Sequence, residues 1–471
     1  MSADWVKRDV ASVWHGFTQM AAYEDNSPVI AESAEGHYIT DVDGRQYLDA
    51  ISSLWVTTLG HRVPELDAAL ADQAGRVAHT TMLGNGNRVV IEFAEELKAR
   101  LPMEDPRLLF AADGAVAVEQ AVKIAFQYWQ NLGVTVRTRY LALGGAYHGD
   151  TIGSMSVGDG GFGTDQFDPL TFTALRAPGY GDPAAIDTAI AMVEQHAGEL
   201  AAVVIEPIVQ GAVGIQTRDP GEFGPLAEAC RAAGALLVCD EVAVGFGRTG
   251  ALFASELCGI RPDLMALGKG ITGGYLPMAA TAAADHVWKA FGGVDLGERT
   301  FYHGHSYGGN ALAAAVALEH LRIIERDDVL ANVRERAAQF ESLLAEAVAP
   351  LPQVGEVRQQ GLMIGIQMAP PERAADGSEG GHLLRWGRRV SAACTRRGVL
   401  IRPLGDVVVV VPHLTTTAEE VDRIVGVLAE AIREAATDEP QPQPGAGAEL
   451  DLDALEALRR SRGWAGARTP P

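Results

Sequence analysis

The stretch that most constrains the fold is residues 236 to 274, LLVCDEVAVGFGRTGALFASELCGIRPDLMALGKGITGG. Leu236, Leu237 and Val238 open a short apolar run of the kind that forms a strand buried on both faces, and the run ends in Asp240-Glu241. A second run, Leu264-Met265-Ala266-Leu267, ends in Gly268-Lys269-Gly270. Glycines on both sides of the lysine let a ligand approach the backbone closely. Two buried strands, each ending in a charge and joined by a crossover, predict an α/β fold. Such folds bind ligands at the carboxyl ends of their strands, so the acid and the amine are expected to face one crevice.

That pair suits a narrow chemistry. A lysine able to lose its proton in a partly dry pocket can form a Schiff base with an aldehyde cofactor. A carboxylate nearby keeps a pyridine nitrogen protonated, because an opposite charge favours the charged form. Together they would make pyridoxal 5'-phosphate an electron sink.

DEVAVGFGRTG followed by LGKGITGGYLPMAAT resembles the signature of the class III, fold type I pyridoxal-phosphate aminotransferases, and the likeness runs over roughly residues 10 to 435. It implies a large domain with a mainly parallel seven-stranded sheet between helices, plus a small α+β domain. The expected divisions are residues 1–65 for an arm and hairpin of the small lobe, 66–330 for the cofactor domain, 331–436 for the C-terminal small domain and 437–471 for an acidic, Pro-rich tail. By the same resemblance Lys269 is the Schiff-base lysine, Asp240 the partner of the pyridine nitrogen, and Val242 a residue packed on one ring face.

Other motifs fall into place along the chain. Residues 10 to 22, VASVWHGFTQMAA, read as an arm ahead of any regular element; they resemble the opening of the 7,8-diaminopelargonate-forming branch of the family, which implies that Phe17 lines the substrate pocket. Members of that branch using S-adenosylmethionine commonly carry tyrosine at this point, so both S-adenosylmethionine and lysine stay open as donors. GHYITDVDGRQYLDA alternates about Asp43-Gly44 as a β-hairpin should, and it leads to Trp55, which by resemblance walls the substrate site. Leu108-Leu109-Phe110, Asp113-Gly114-Ala115 and VAVEQAVKIAFQYWQ form a strand, a turn and a helix, whose unpaired first-turn N–H groups can receive a phosphate. The family likeness assigns that role to Gly114 and Ala115, and ring stacking to Tyr147. It also places Gly304 beside the substrate, and His305 and Ser306 at the cofactor phosphate of a neighbouring subunit in a homodimer. Arg402 opens RPLGDVVVVVP, where a guanidinium fork could clamp a carboxylate. Glu206 ends another buried strand, AAVVIE, with no duty legible.

Several classes are disfavoured. A formal charge of −23 argues against a nucleic-acid partner. No apolar stretch approaches a membrane span and the first residues lack a signal peptide's apolar core, so the expected address is the cytoplasm. Cys230, Cys239, Cys258 and Cys394 show no C-x-x-C pattern and read as core thiols. His303 and His305 lack a third ligand at supporting spacing, and no metal is expected there. G-x-G-x-x-G at residues 158–163 lies late after its strand and reads as a loop, not a dinucleotide site. The resulting expectation is an aminotransferase acting on 8-amino-7-oxononanoate to give 7,8-diaminononanoate for biotin. The alternatives are a class III transaminase of ω-amino acids or diamines using pyruvate or 2-oxoglutarate, and a non-catalytic pyridoxal-phosphate-binding scaffold.

Overall fold

Seven short strands make the central sheet: β1 (Arg107–Ala111), β2 (Arg139–Leu143), β3 (Leu175–Ala177), β4 (Leu200–Ile205), β5 (Leu236–Asp240), β6 (Leu264–Leu267) and β7 (Ala279–Ala283). Their order is β1-β7-β6-β5-β4-β2-β3. In this computed structural model, which describes residues 2–159, 164–368 and 386–437, only β7 runs against its neighbours in that sheet. The apolar runs read from the sequence become strands because both faces are covered. Leu237, Cys239, Met265 and Leu267 point into one hydrophobic layer, while Leu236, Val238, Leu264 and Ala266 point into the other. That alternation is the two-residue period of a strand, with apolar residues at every position instead of every second one.

Helices complete the layers. Gly114–Asn131 follows β1 with Asp113 as its N-cap, the side chain accepting from Val116 N. Phe223–Ala233 precedes β5 and stops at Gly234, whose φ of +70° suits a residue without Cβ. The four cysteines are buried free thiols.

A second sheet is an antiparallel meander of Val354–Gln360, Met363–Met368, Val407–Val410 and Arg402–Leu404. Its inner residues Ile364, Ile366, Val408 and Val410 share a core with Val421, Ile424 and Leu428 of the helix Ala418–Thr437. The expected hairpin is present, Tyr38 opposite Leu48 and Thr40 opposite Gln46, and Val399–Leu400 joins it in parallel. A helix runs from Trp386 to Arg396; the expected tail beyond Thr437 and the part of the glycine-rich loop at 160–163 lie outside the described residues.

By their internal contacts the described residues form two units, one holding residues 2–31 and 41–43, the other residues 32–40 and the described residues from 44 to 437. In the first, the reading of residues 10–22 as preceding all regular structure is corrected. A helix spans Ser2–Ser12, too weakly apolar to stand out in sequence because Val6 alone is buried. Asp9 on that helix accepts from Tyr23 Oη at 2.6 Å and pairs with His15 Nε2 at 3.0 Å, and the His15 and Tyr23 rings stack at 4.5 Å. Among the described residues no helix is long and apolar enough to cross a membrane.

Because β2 is buried on both faces, truncation there leaves a cavity that the close-packed layer fills only partly. Leu141→Ala, at a fully buried position, is expected to cost about 2–5 kcal/mol and to lower the thermal midpoint measurably by calorimetry.

Candidate active site

The parallel strands share one carboxyl edge, and each of five turns leaving it carries a charged, aromatic or glycine residue. β1 leads to Gly114 and Ala115, β2 to Tyr147 and His148, β4 to Glu206, β5 to Asp240 and Val242, and β6 to Lys269. Asp240 pairs in register with Ala266, three residues before Lys269, so strand pairing alone brings the acid and the amine to the same edge.

Lys269 follows Gly268 with a φ of +41°, in the left-handed region that non-glycine residues seldom occupy. Its Nζ lies 5.2 Å from the centroid of the Trp55 ring and makes no hydrogen bond or ion pair among the described residues. Burial holds its pKa below the ordinary lysine value, with Asp240 and Glu206 pulling the other way. The amine is therefore a better nucleophile than a surface lysine at the same pH.

Asp240 is anchored through both oxygens. Oδ1 accepts from Val242 N at 2.9 Å and Oδ2 meets His148 Nδ1 at 2.8 Å. Burial of His148 works against its charged form, but the hydrogen bond and charge of Asp240 outweigh it and raise the imidazole pKa. His148 Nε2 is buried with no partner among the described residues. Sequence reasoning gave this histidine no role; its position directly after Tyr147 was the one available signal.

Glu206 is buried too. Its oxygens accept from Tyr147 N and Gly211 N, each at 3.1 Å, so it fixes the backbone of two loops. Burial pushes its carboxyl up to about 7, with His148 opposing and Asp240 adding to the rise. Tyr147 itself donates from Oη to Asp150 at 2.9 Å, and burial raises its phenol pKa.

Close packing shapes the rest. A Cβ at Gly114 would stand 2.5 Å from Val242 Cγ1, and one at Gly268 3.2 Å from the same atom, so Val242 is wedged where three strand ends meet. Trp55 is packed against Gly211, whose Cβ would lie 2.9 Å from the indole. Trp55 ends the run Ser52–Trp55, in which every residue has a positive φ between 49° and 73°.

The structure thus brings together Lys269, Asp240, Trp55, Tyr147, Val242 and Gly114. Gly304, His305 and Ser306 lie elsewhere on the chain, with Gly304 against Leu83 and the Ser306 carbonyl bonded to His79 Nε2 at 2.6 Å; no hydrogen bond among the described residues links them to Lys269 or Asp240. Arg402 sits exposed at the start of its strand. Phe17, also exposed, has a φ of +53° and belongs to the other unit.

These groups fit an aldehyde cofactor with an anionic phosphate and a basic ring nitrogen. An amine of depressed pKa stands without a counter-ion beside an indole face. A carboxylate is held at the strand end by its histidine at 2.8 Å. At the helix start Asp113 takes only Val116 N, and the first-turn N–H groups of Gly114 and Ala115 can bind phosphate oxygens.

Comparison with known proteins agrees. The family model described as aminotransferase class-III matches residues 19–432. Adenosylmethionine-8-amino-7-oxononanoate aminotransferase of Nitratidesulfovibrio vulgaris is 42% identical over 90% of this chain and 80% of its own length; the protein of that name from Anoxybacillus flavithermus is 39% identical over 92% and 97%. The crystal structure of the same-named enzyme from Methanocaldococcus jannaschii superposes with a TM-score of 0.86 at 35% identity, covering 91% of this chain and 98% of that one. An (S)-enantioselective omega-transaminase from Thermomicrobium roseum gives a TM-score of 0.84 at 30% identity, covering 93% and 99%. With its sheet order, the chemistry of its strand ends and these matches in agreement, the chain belongs to the class III aminotransferases, enzymes of fold type I that depend on pyridoxal 5'-phosphate.

Proposed function

We propose that the protein aminates 8-amino-7-oxononanoate to 7,8-diaminononanoate in the cytoplasm, with S-adenosylmethionine as donor. The observation that carries this reading is the Trp55 indole held 5.2 Å from Lys269 Nζ and backed by Gly211, a rigid apolar wall suited to a long methylene chain. The name shared by relatives 35–42% identical over about 90% of the chain supports the same acceptor and donor. Phe17 favours a second reading for the donor, lysine, because it lacks the hydroxyl common in users of S-adenosylmethionine.

When bound, pyridoxal 5'-phosphate supplies a conjugated ring that delocalises the electron pair left when a proton leaves the substrate carbon. In this reading Lys269 would hold the cofactor through its Nζ and, when its amine is free, would serve as the general base that takes and returns a proton. Asp240 would bond the ring nitrogen and favour its protonated form, and His148 aims Asp240 through its 2.8 Å bond. Gly114 and Ala115 would receive the phosphate on their N–H groups, and Tyr147 and Val242 would hold the ring. Arg402 takes the acceptor's carboxylate. Gly304 borders the substrate, and His305 and Ser306 serve the active site of a second subunit in a homodimer. The exposure of Tyr302, Tyr307 and Leu83 around them supports that assembly.

The direct test is purified protein with 8-amino-7-oxononanoate and either S-adenosylmethionine or lysine, with 7,8-diaminononanoate measured by mass spectrometry. No product from either donor, alongside turnover of an ω-amino acid with pyruvate, would replace this reading by the wider transaminase one. If the protein binds the cofactor but turns over nothing, a scaffold is left.

The site makes three further expectations. Lys269→Ala should lose turnover and the visible absorbance of the bound cofactor. His148→Gln removes a charged hydrogen bond, worth about 1.5–3 kcal/mol, so kcat/KM should fall about 10- to 100-fold while protein unfolding barely moves. Reloading of cofactor-stripped protein needs the neutral amine of Lys269. Its rate should therefore rise with pH and level off below the ordinary lysine value of about 10.4; a plateau only above that value would contradict the burial argument.

A further inference from the structure

Away from the strand ends, Asp49, His61 and His413 bring three ligand atoms to within 4.8 Å of one another. Asp49 Oδ2 is 3.3 Å from His61 Nε2 and 3.8 Å from His413 Nε2. Zinc bonds of about 2.0–2.1 Å in a tetrahedron set ligand atoms roughly 3.4 Å apart, so both edges are near the required length. We propose that these three side chains form a binding site for a divalent cation of the zinc type, separate from the groups at the strand ends.

The orientation of each ligand supports this. His413 Nδ1 lies 3.0 Å from the Thr57 carbonyl, which can only accept, so Nδ1 carries the hydrogen and Nε2 of the neutral ring presents its lone pair. His413 is fully buried and its Nε2 has no hydrogen-bond partner among the described residues. A lone pair facing a carboxylate oxygen sets two acceptors against each other, an arrangement that a cation relieves. An Nδ1–H bonded to a backbone carbonyl is also how metal-binding histidines are commonly held.

Asp49 is equally fixed. It accepts from Ile51 N at 3.3 Å and Ser53 Oγ at 2.8 Å. His37 stacks on His413 at 4.8 Å, but its nitrogens are taken by Glu420 and Thr415 at 2.7 and 2.9 Å, so it supports the site without joining it. Imidazole and carboxylate ligands suit zinc, and the partly exposed His61 gives an entry path. The buried guanidinium of Arg248 nearby adds positive charge that lowers the affinity. A cation here would clamp residues 49 and 61 on either side of the left-handed run Ser52–Trp55 and so stiffen the indole wall.

The test uses the full-length holoenzyme, dialysed against chelator, then given zinc chloride alone and re-dialysed. Retained metal is counted by plasma mass spectrometry, and cobalt(II) is read by its visible d–d bands. About one equivalent per chain is expected, with a raised thermal midpoint and tetrahedral-type cobalt bands. His61→Gln and His413→Asn should each weaken retention at least about 100-fold, whereas His303→Ala should leave it unchanged. Correct folding of each variant is checked by far-ultraviolet dichroism. No retained metal in the parent protein, or metal that persists in both His61→Gln and His413→Asn, overturns the proposal; if one variant misfolds, the other still decides. None of these readouts depends on which substrate the enzyme takes.

Discussion

Everything at the catalytic edge follows from the parallel register of β5 on β6 and β4. That pairing sets Val238 beside Leu264 and Asp240 beside Ala266, so the strand that ends in an acid and the strand that leads to Lys269 finish level. Both are sealed between two apolar layers, and the charged groups they deliver meet a medium of low polarity. In such a medium the state of each group depends on its neighbours. Lys269 is pushed toward neutrality, Asp240 is bonded to His148, and Glu206 rises to about 7 and gives its oxygens to backbone N–H groups. One carboxylate of the pair has an imidazole partner at 2.8 Å, whose pKa it raises; the other meets only backbone N–H groups and is pushed up by burial.

The sequence made the strand ends legible because their logic is local. Apolar runs closed by Asp240 and Lys269, a glycine turn before a helix at Gly114, and a helix stop at Gly234 are all short patterns whose physics needs no distant partner. His148 escaped notice for the opposite reason: its meaning comes from Asp240, 92 residues further on. The same holds for Asp49, His61 and His413, whose closeness depends on the C-terminal sheet returning to the hairpin. Trp55 stood out only through the family likeness, since its left-handed approach carries no glycine to announce it.

That approach shows how strain is held where function needs it. Four successive non-glycine residues, Ser52 to Trp55, adopt positive φ, each at a cost of the order of 1–3 kcal/mol. They persist because both sides are tied. Ser52 Oγ donates to the Val411 carbonyl at 2.6 Å, Ser53 Oγ to Asp49, and Trp55 is lodged against Gly211. The run cannot relax without breaking contacts to the C-terminal sheet, so the indole stays beside Lys269.

Arg248 explains why an arginine belongs in the motif GFGRTG, far from any exposed anion. Its side chain is almost fully buried and donates to the carbonyls of Pro412 and Thr57, while burial lowers its pKa to about 9. A cation there with no hydrogen-bonded carboxylate among the described residues is costly, and the cost is offset because one rigid fork satisfies carbonyls of two remote segments that helix or sheet ladders do not reach. Gly361 must remain glycine at the same junction, since a Cβ would fall 2.4 Å from the Arg248 carbonyl at a φ of +56°. The loop after β5 therefore links, through one residue, the segment bearing Trp55, the return of the C-terminal sheet and the strand end that carries Asp240. A lysine at that position could reach one carbonyl at a time, and the wall and the acid would lose their common frame.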